Sequence, residues 1–384
     1  MTAGIDWDIR TSAADNQWYS IAYGTPNGVG IFVAVSIDGT GNRVQTSPDG
    51  ITWTSRTSAA DNQWAGVTYG NGLFVAVSIT GTGNRVMTSP DGITWTSRTS
   101  AADNEWYGVT FGNDLFVAVA QGGTDRVMTS PDGVTWTSRS AAAANTWRAV
   151  TFGNDLFVAV SNNGHPNQAM TSSDGITWTI KTTPINMAWG AVAYGNGVYV
   201  AVGTDAGGLF RQVMSSANGT TWTARTSATQ SVLTSVTYGA GLFVAVTFDG
   251  TYRVMTSADA ITWAMQTDDS AVSNNWRSVT YSNGVFVAVA TNGTNTRTMT
   301  SGVFELEPAA EISPPTVSLR WSDDGAKTWS NPLTRSMGKI GEYDTDMVWN
   351  RLGSGSNRIF EIHFTDPAPF RITGAELGIS TGLH

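Results

Sequence analysis

The sequence predicts an all-β fold in which a unit of about 42 residues repeats around a ring and is followed by a small β module. Three observations lead to this prediction. A turn followed by tryptophan returns at regular steps, a second large apolar residue follows at a nearly fixed offset, and short runs rich in Val and Phe separate Gly-rich turns. Repeats of this length with four strand-like segments are typical of β-propeller blades.

The tryptophan that follows the turn defines the repeat. In segment 47–56 the sequence is Ser-Pro-Asp-Gly-Ile-Thr-Trp-Thr-Ser-Arg, and the segment returns five more times, twice in weakened form, with steps of 42, 41, 42, 44 and 41 residues between tryptophans. Segment 4–12 aligns with 50–58 and adds one more tryptophan. The predicted blade anchors are Trp7, Trp53, Trp95, Trp136, Trp178, Trp222 and Trp263.

One repeat divides into four predicted strands, at 64–69, 73–78, 85–88 and 93–98. The second is almost entirely apolar, which favours burial on both faces. The second large apolar residue of each repeat, its second anchor, marks seven first strands, but only six complete turn segments follow them. The second anchors are Trp18, Trp64, Trp106, Trp147, Trp189, Leu233 and Trp276. Segment 4–12 supplies the missing strand, since an N-terminal strand that completes the last blade removes an open sheet edge. The sequence therefore predicts a seven-bladed propeller over residues 1–302.

The repeated turn resembles the Asp-box, shortened by one residue. Its aspartate can accept backbone N–H groups of its own turn, and its glycine permits a positive φ. We expect the aspartates to be structural, while a sugar platform or a Ca²⁺ site is the alternative. The predicted turn residues are Asp49, Asp91, Asp132, Asp174 and Asp259.

Two basic positions also recur. Arg56 and its equivalents follow the turn, and Asp61 and its equivalents lie five residues later, so we expect these charges to pair within that loop. Arg43 and its equivalents precede the turn, and a ring of cations for an anionic partner is the alternative there.

Composition excludes several classes of function. The 384 residues carry a formal net charge of −9, which argues against sequence-independent nucleic-acid binding. Neither a membrane span nor a signal peptide is evident, and the chain has no cysteine. We therefore expect a protein made in a cytoplasm, without disulfides or thiolate metal sites.

Catalysis finds little support in the repeats. Asp-box propellers include sialidases and other glycoside hydrolases, whose chemistry generally needs two carboxylates or an equivalent nucleophile at one cleft. Glu105 is the only glutamate within residues 1–302, and the three histidines, His165, His363 and His384, lack ligand-like spacing. The sequence predicts no catalytic residue, no cofactor and no metal.

The repeat ends at Gly302. Residues 303–316 form an acidic, Pro-containing linker, and 317–384 are rich in strand signals. The strings at 321–330, 338–343, 349–353, 358–360 and 373–377 resemble the C-terminal end of the packaged-DNA stabilisation proteins of short-tailed bacteriophages.

That resemblance implies a non-enzymatic component of a virion tail, of the tail hub or nozzle type beneath the portal and adaptor rings, made in the host cytoplasm. It implies a homo-oligomer whose partners are other virion tail proteins, namely an adaptor, a portal-proximal ring or a fibre. We expect module 317–384 to carry the attachment. The candidate contacts are Trp349, Arg351, Arg358 and Phe370.

Two alternatives stay open. The propeller could bind host-surface glycans as an adhesin or receptor-binding protein, because the loops between second and third strands vary, for example at 162–166 and 204–210. A sialidase-like hydrolase is the second alternative.

Overall fold

A computed structural model describes residues 6–204, 211–266, 273–301, 316–336 and 358–364. These residues form seven four-stranded antiparallel sheets and one three-stranded sheet. The chain divides into two compact units, residues 1–304 and 305–384. None of the described segments is a helix long and apolar enough to cross a membrane.

The first three sheets follow one another along the chain. The first contains β2 (Trp18–Gly24), β3 (Ile31–Ser36), β4 (Val44–Ser47) and β5 (Thr54–Arg56), with a 3₁₀ helix at Pro26–Gly28 between β2 and β3. The second contains β6 (Trp64–Gly70), β7 (Leu73–Ser78), β8 (Val86–Ser89) and β9 (Thr96–Arg98). The third contains β10 (Trp106–Gly112), β11 (Leu115–Ala120), β12 (Val127–Ser130) and β13 (Thr137–Arg139).

The other four sheets of the first unit repeat this order. The fourth contains β14 (Trp147–Gly153), β15 (Leu156–Ser161), β16 (Ala169–Ser172) and β17 (Thr179–Lys181). The fifth contains β18 (Ala188–Gly195), β19 (Val198–Thr204), β20 (Arg211–Ser216) and β21 (Thr223–Thr226). The sixth contains β22 (Leu233–Gly239), β23 (Leu242–Thr247), β24 (Val254–Ser257) and β25 (Ala264–Met265). The seventh contains β26 (Trp276–Ser282), β27 (Val285–Ala290), β28 (Thr298–Ser301) and β1 (Trp7–Arg10).

The second sheet shows how the sequence specifies these strands. Asn71 and Gly72 both have positive φ, at 47° and 75°, which gives the tight turn that suits a two-residue hairpin between β6 and β7. All residues of β7 after Leu73 are buried, as its apolar run predicts. The fourth strand, β9, begins three residues later than the sequence predicts, because Ile93 to Trp95 belong to the preceding turn.

The seven sheets close a ring. The first strand of each sheet contacts the first strand of the next, from β2 through β26, and β26 in turn contacts β2. The apolar core lies between neighbouring sheets. Val33 and Val35 of the first sheet, for example, pack with Trp64 and Phe74 of the second.

The N-terminal strand joins the seventh sheet. β1 pairs antiparallel with β28, and Trp7, which is 1% exposed, packs into the core between the sixth and seventh sheets. The sequence alignment of segment 4–12 with the fourth strands predicts this pairing.

The second unit contains β29 (Thr316–Ser322), β30 (Leu333–Ser336) and β31 (Ile359–Phe364), in the sheet order β30-β29-β31. Asp324 accepts backbone N–H groups of Lys327 and Thr328 at 3.0 and 2.9 Å, each one residue further along the chain than in the repeated turn.

Candidate functional site

The repeated turn is organised around one carboxylate oxygen. Asp49 Oδ1 accepts the backbone N–H groups of Ile51 and Thr52 at 2.8 and 2.9 Å and the Ser47 hydroxyl at 2.9 Å. Gly50, at φ 78°, offers its carbonyl to Trp53 Nε1 at 2.9 Å. Turn and tryptophan therefore stabilise each other.

Each of the other predicted aspartates accepts the corresponding two backbone N–H groups of its own turn. Backbone N–H groups three and two residues later, led by those of Thr135, Thr177 and Thr262, lower the pKa of Asp132, Asp174 and Asp259 to about 2. At Asp49 and Asp91 burial raises the pKa, but the turn's hydrogen bonds outweigh it and the net pKa is lowered. The turns lie in separate sheets, so the aspartates are not brought together into one site.

Two repeats deviate from the turn sequence in an informative way. Asn218 takes the place of the aspartate, and its Oδ1 accepts the N–H groups of Thr220 and Thr221 at 3.0 and 2.9 Å. Ala260 takes the place of the glycine, with φ at 61°. The turn geometry therefore forms without a negative charge at one site and without glycine at another.

The anchors occupy two kinds of environment. Six of the seven predicted blade anchors are 7 to 9% exposed, and the seventh, Trp7, is 1% exposed. The second anchors are completely buried where they are tryptophan, and Trp64 Nε1 donates to the Ala60 carbonyl at 3.0 Å.

The expected pairing of Arg56 with Asp61 is wrong. Asp61 lies 3.6 Å from Nε of Arg43, the arginine that precedes the turn, and its Oδ1 also accepts the N–H of Gly41. Arg56 instead donates to Thr46 Oγ1 across the β4–β5 pair, because its side chain lies beside that strand. Arg43 also donates to two backbone carbonyls of its own repeat. Its guanidinium is therefore engaged within the protein, which argues against a ring of cations that binds an anionic partner.

A central cavity of about 360 Å³ lies where the first strands of all seven sheets meet. One position of each first strand, directly after the second anchor, contributes to its lining. In chain order the residues at this position are Tyr19, Ala65, Tyr107, Arg148, Gly190, Thr234 and Arg277.

Two arginines in this cavity converge on one tyrosine. Arg148 and Arg277, from the fourth and seventh sheets, both donate to the Tyr19 hydroxyl, Arg148 at 2.5 Å. The Arg277 guanidinium also lies 4.2 Å from the centre of the Tyr19 ring, and that of Arg148 lies 3.9 Å from the centre of the Tyr107 ring. These are cation–π distances.

Burial shifts the pKa of two members of this cluster. It lowers the pKa of Arg277, with Arg148 nearby adding to the effect against the opposing influence of Tyr19. Burial also raises the pKa of Tyr107. The nearby Glu105 adds to this rise, while Arg148 opposes it. Tyr107 therefore stays a neutral phenol at physiological pH.

This cluster is not predicted when the repeats are treated as uniform. One feature of the sequence does point to the cluster. At the residue after the second anchor, aromatic, cationic and small side chains alternate from repeat to repeat within an otherwise regular strand. Only ring closure places Arg148 and Arg277, 129 residues apart, around one cavity.

Comparisons with known proteins give separate findings for the two parts of the chain. Residues 285–380 match the family described as "Bacteriophage P22 Gp10, beta-sandwich", which supports a C-terminal module of the phage tail hub kind. The match begins within the ring, at β27, and continues through the second unit. No curated protein matches the sequence.

Solved structures resemble the ring. Selenomethionine-substituted virginiamycin B lyase from Staphylococcus aureus superposes with a TM-score of 0.65 at 12% identity, covering 77% of this chain and 98% of the lyase chain. YCF48 bound to D1 peptide gives 0.59 at 14% identity, covering 79% and 99%, and a streptogramin B lyase structure gives 0.64 at 11%, covering 77% and 97%. At these identities the likeness shows a propeller-like fold alone.

One of the four candidate assembly contacts lies within the described residues. Arg358 donates from Nε and Nη2 to the two carboxylate oxygens of Asp323, both at 2.7 Å, and its guanidinium lies 5.3 Å from the centre of the Trp321 ring. Trp349, Arg351 and Phe370 lie outside the described residues.

The residues considered for catalysis are scattered. Glu105 is exposed on the loop before β10, His165 is exposed on the loop between β15 and β16, and His363 is exposed on β31. His384 lies outside the described residues. The described residues contain no group of three or more His, Asp or Glu that could hold a metal ion.

Proposed function

We propose that this protein is a non-enzymatic structural component of a bacteriophage virion tail, of the hub or nozzle type. The observation that carries the proposal is the match of residues 285–380 to the P22 Gp10 β-sandwich family. The match starts in the seventh sheet, so it includes the end of the ring as well as the module. In this proposal the ring is a seven-bladed propeller, and the protein assembles as a ring-like homo-oligomer in the virion after synthesis in the host cytoplasm.

The module supplies the attachment in this proposal. The ring already closes on itself through β1 and β28, so it does not need residues 317–384 to complete its sheets. Other tail proteins, an adaptor, a portal-proximal ring or a fibre, are the partners. Of the four candidate contacts, Arg358 has its guanidinium engaged with Asp323, so Trp349, Arg351 and Phe370 are the better choices for a first substitution.

The acidic balance suits a place beside the genome conduit. A net charge of −9 repels phosphate, so the protein does not adsorb the DNA that passes it. Glycoside hydrolysis, by contrast, generally uses two carboxylates at one cleft. The described lining of the central cavity presents arginine and tyrosine instead of such a pair of carboxylates.

Truncation tests the proposal. A chain ending at Gly302 should remain a folded monomer by circular dichroism and size exclusion, and it should be absent from particles assembled by a phage that carries it in place of the full-length protein. Full-length protein with Asp8→Asn, a substitution at an exposed side chain of β1, is the matched control and should enter particles normally. Incorporation of the truncated chain at the full copy number would place attachment in the ring and overturn the assignment to the module.

A further inference from the structure

We propose that the central cavity of the ring binds a small ligand through an oxyanion, a carboxylate or a phosphate group, held between Arg148 and Arg277. This goes beyond the structural role proposed above and does not depend on it. Four side chains carry the inference: the two arginines, Tyr19 and Tyr107.

The hydrogen bonds at Tyr19 create a directed donor. Its hydroxyl oxygen accepts from both guanidinium groups, which uses both of its lone pairs. The hydroxyl proton must therefore point away from the arginines. It is free to donate to an acceptor oxygen in the cavity, which both arginines also line.

The charges of the cluster favour an anion. Arg148 and Arg277 are like charges that meet at one oxygen, and the proximity of Arg148 contributes to lowering the pKa of Arg277. Within the described part of the chain, no carboxylate lies within ion-pair distance of either. Glu105 is near enough to raise the pKa of Tyr107 but stays on the exposed loop. Partly buried cations are costly without a counter-charge, and an oxyanion bonded to both would supply it.

The residues that line the cavity leave space for a ligand. Arg277 and Tyr19 come from adjacent sheets, and Arg148 reaches Tyr19 from across the ring. The equivalent positions of the second, fifth and sixth sheets hold Ala65, Gly190 and Thr234, and the fifth and sixth sheets lie between those of the two arginines, so small side chains leave room beside the cations. A volume of about 360 Å³ lies at the small end of the range of ligand pockets. The cavity therefore suits a compact anion.

The two tyrosine rings hold the guanidinium groups of the arginines in place. The face of Tyr107 supports the Arg148 guanidinium, and that of Tyr19 supports Arg277, so both planar donors are held in position before a ligand arrives. Donors held in this way lose little side-chain freedom on binding.

Binding of inorganic phosphate and of acetate, each measured by isothermal titration calorimetry against chloride at constant ionic strength, tests the proposal on the full-length protein. Saturable binding of either anion with one site per chain is expected. Phosphate alone, acetate alone or both would each support the site and assign its ligand class. Absence of saturable binding by both up to tens of millimolar would overturn it.

Variants locate the site. Arg148→Gln and Arg277→Gln should each weaken binding by about tenfold or more, since each removes a charge-assisted donor. Arg56→Gln, a substitution outside the cavity, is the matched control and should bind as the wild type does. Equal weakening in this control would show a non-specific charge effect and contradict the proposal.

A blocking variant keeps the test decisive if an arginine variant fails to fold. A Cβ built at Gly190 meets no atom closer than 3.8 Å, so Gly190→Phe can fill the cavity while both arginines remain. Loss of binding by this variant, with an unchanged circular dichroism spectrum, is expected. Wild-type affinity in Gly190→Phe would place the anion elsewhere and refute the assignment.

Discussion

Trp7 lies directly opposite Ser301 in the pairing of β1 with β28. Two residues separated by most of the chain thus occupy one sheet, and Trp7 fills the core beside Trp276 and Phe286. The ring is therefore closed by its own N-terminal strand, which covers an edge that would otherwise present unpaired backbone groups.

Removal of residues 1–12 should expose that edge. We expect a lower melting temperature and concentration-dependent association, measured by scanning calorimetry and by light scattering after size exclusion. Trp7→Ala in the full-length chain should cost about 3 to 5 kcal/mol in the free energy of unfolding, because a buried indole is lost. Asp8→Asn, at an exposed side chain of the same strand, should change it by less than about 1 kcal/mol. A truncated chain that stays monomeric with an unchanged melting temperature would refute the closure by β1.

Substitutions of Asp91 can separate the role of its charge from that of its hydrogen bonds in the turn. Its Oδ1 accepts the N–H groups of Ile93 and Thr94 at 2.8 and 2.7 Å. Asp91→Ala should lower the free energy of unfolding by about 1 to 3 kcal/mol, since these groups lose their partner. Asp91→Asn should cost less, because Asn218 makes the same bonds in its own turn. Urea denaturation of both variants measures this, and equal losses would mean that the charge rather than the geometry matters.

Acid should weaken the ring through the same turns. The folded-state pKa of Asp132, Asp174 and Asp259 is about 2, below the ordinary value of 3.8. Their stabilising contribution is therefore fully present above that ordinary value and is lost as the pH falls from about 4 to about 2. Melting temperatures measured across this interval should fall.

A chain with all three of these residues changed to asparagine is the control for the acid effect. It cannot titrate at those turns, so its melting temperature should depend less steeply on pH in the same interval. Identical pH profiles for the two proteins would show that other carboxylates control the acid transition.

The ring architecture could be predicted from the sequence because its signals are local and repeated. The spacing of Trp53 and its equivalents, the alternation of turn glycines with apolar runs, and the alignment of segment 4–12 each specify a strand or a turn. The pairing of Asp61 was predicted wrongly, because proximity along the chain favoured Arg56 while the fold places Arg43 closer.

The central cavity could not be predicted from any single repeat. Arg148 follows Trp147 as Ala65 follows Trp64, and neither pair indicates a site by itself. The cluster exists only where first strands from different sheets meet, and the contact of Arg148 with Tyr19 depends on the ring's closure and width.

Gly133 and Leu73 provide a test of how neighbouring sheets fit together. Gly133 has φ at 72°, and a Cβ there would lie 2.8 Å from Leu73 Cδ2 in the preceding sheet. Gly133→Ala should therefore destabilise the ring in two ways, through left-handed strain of about 1 to 2 kcal/mol and through this overlap. The sixth sheet shows how a methyl group is accommodated, since Ala260 at the equivalent position packs in a cluster with Val198, which is smaller than leucine.

The overlap, but not the strain, should respond to Leu73→Val. In a double-mutant cycle, Gly133→Ala should cost about 1 kcal/mol less in the Leu73→Val background than in the wild type, because valine lacks the Cδ2 atom that the new methyl meets. Leu73→Val alone should cost about 1 kcal/mol for the lost methylene. Leu115→Val is the matched control, since Leu115 stands in the same relation to Gly175 rather than to Gly133, and it should show no coupling to Gly133→Ala. A coupling energy near zero for the Leu73 pair, measured by chemical denaturation of all four proteins, would mean that the two sheets separate slightly to admit the methyl group and that their fit is looser than the contact implies.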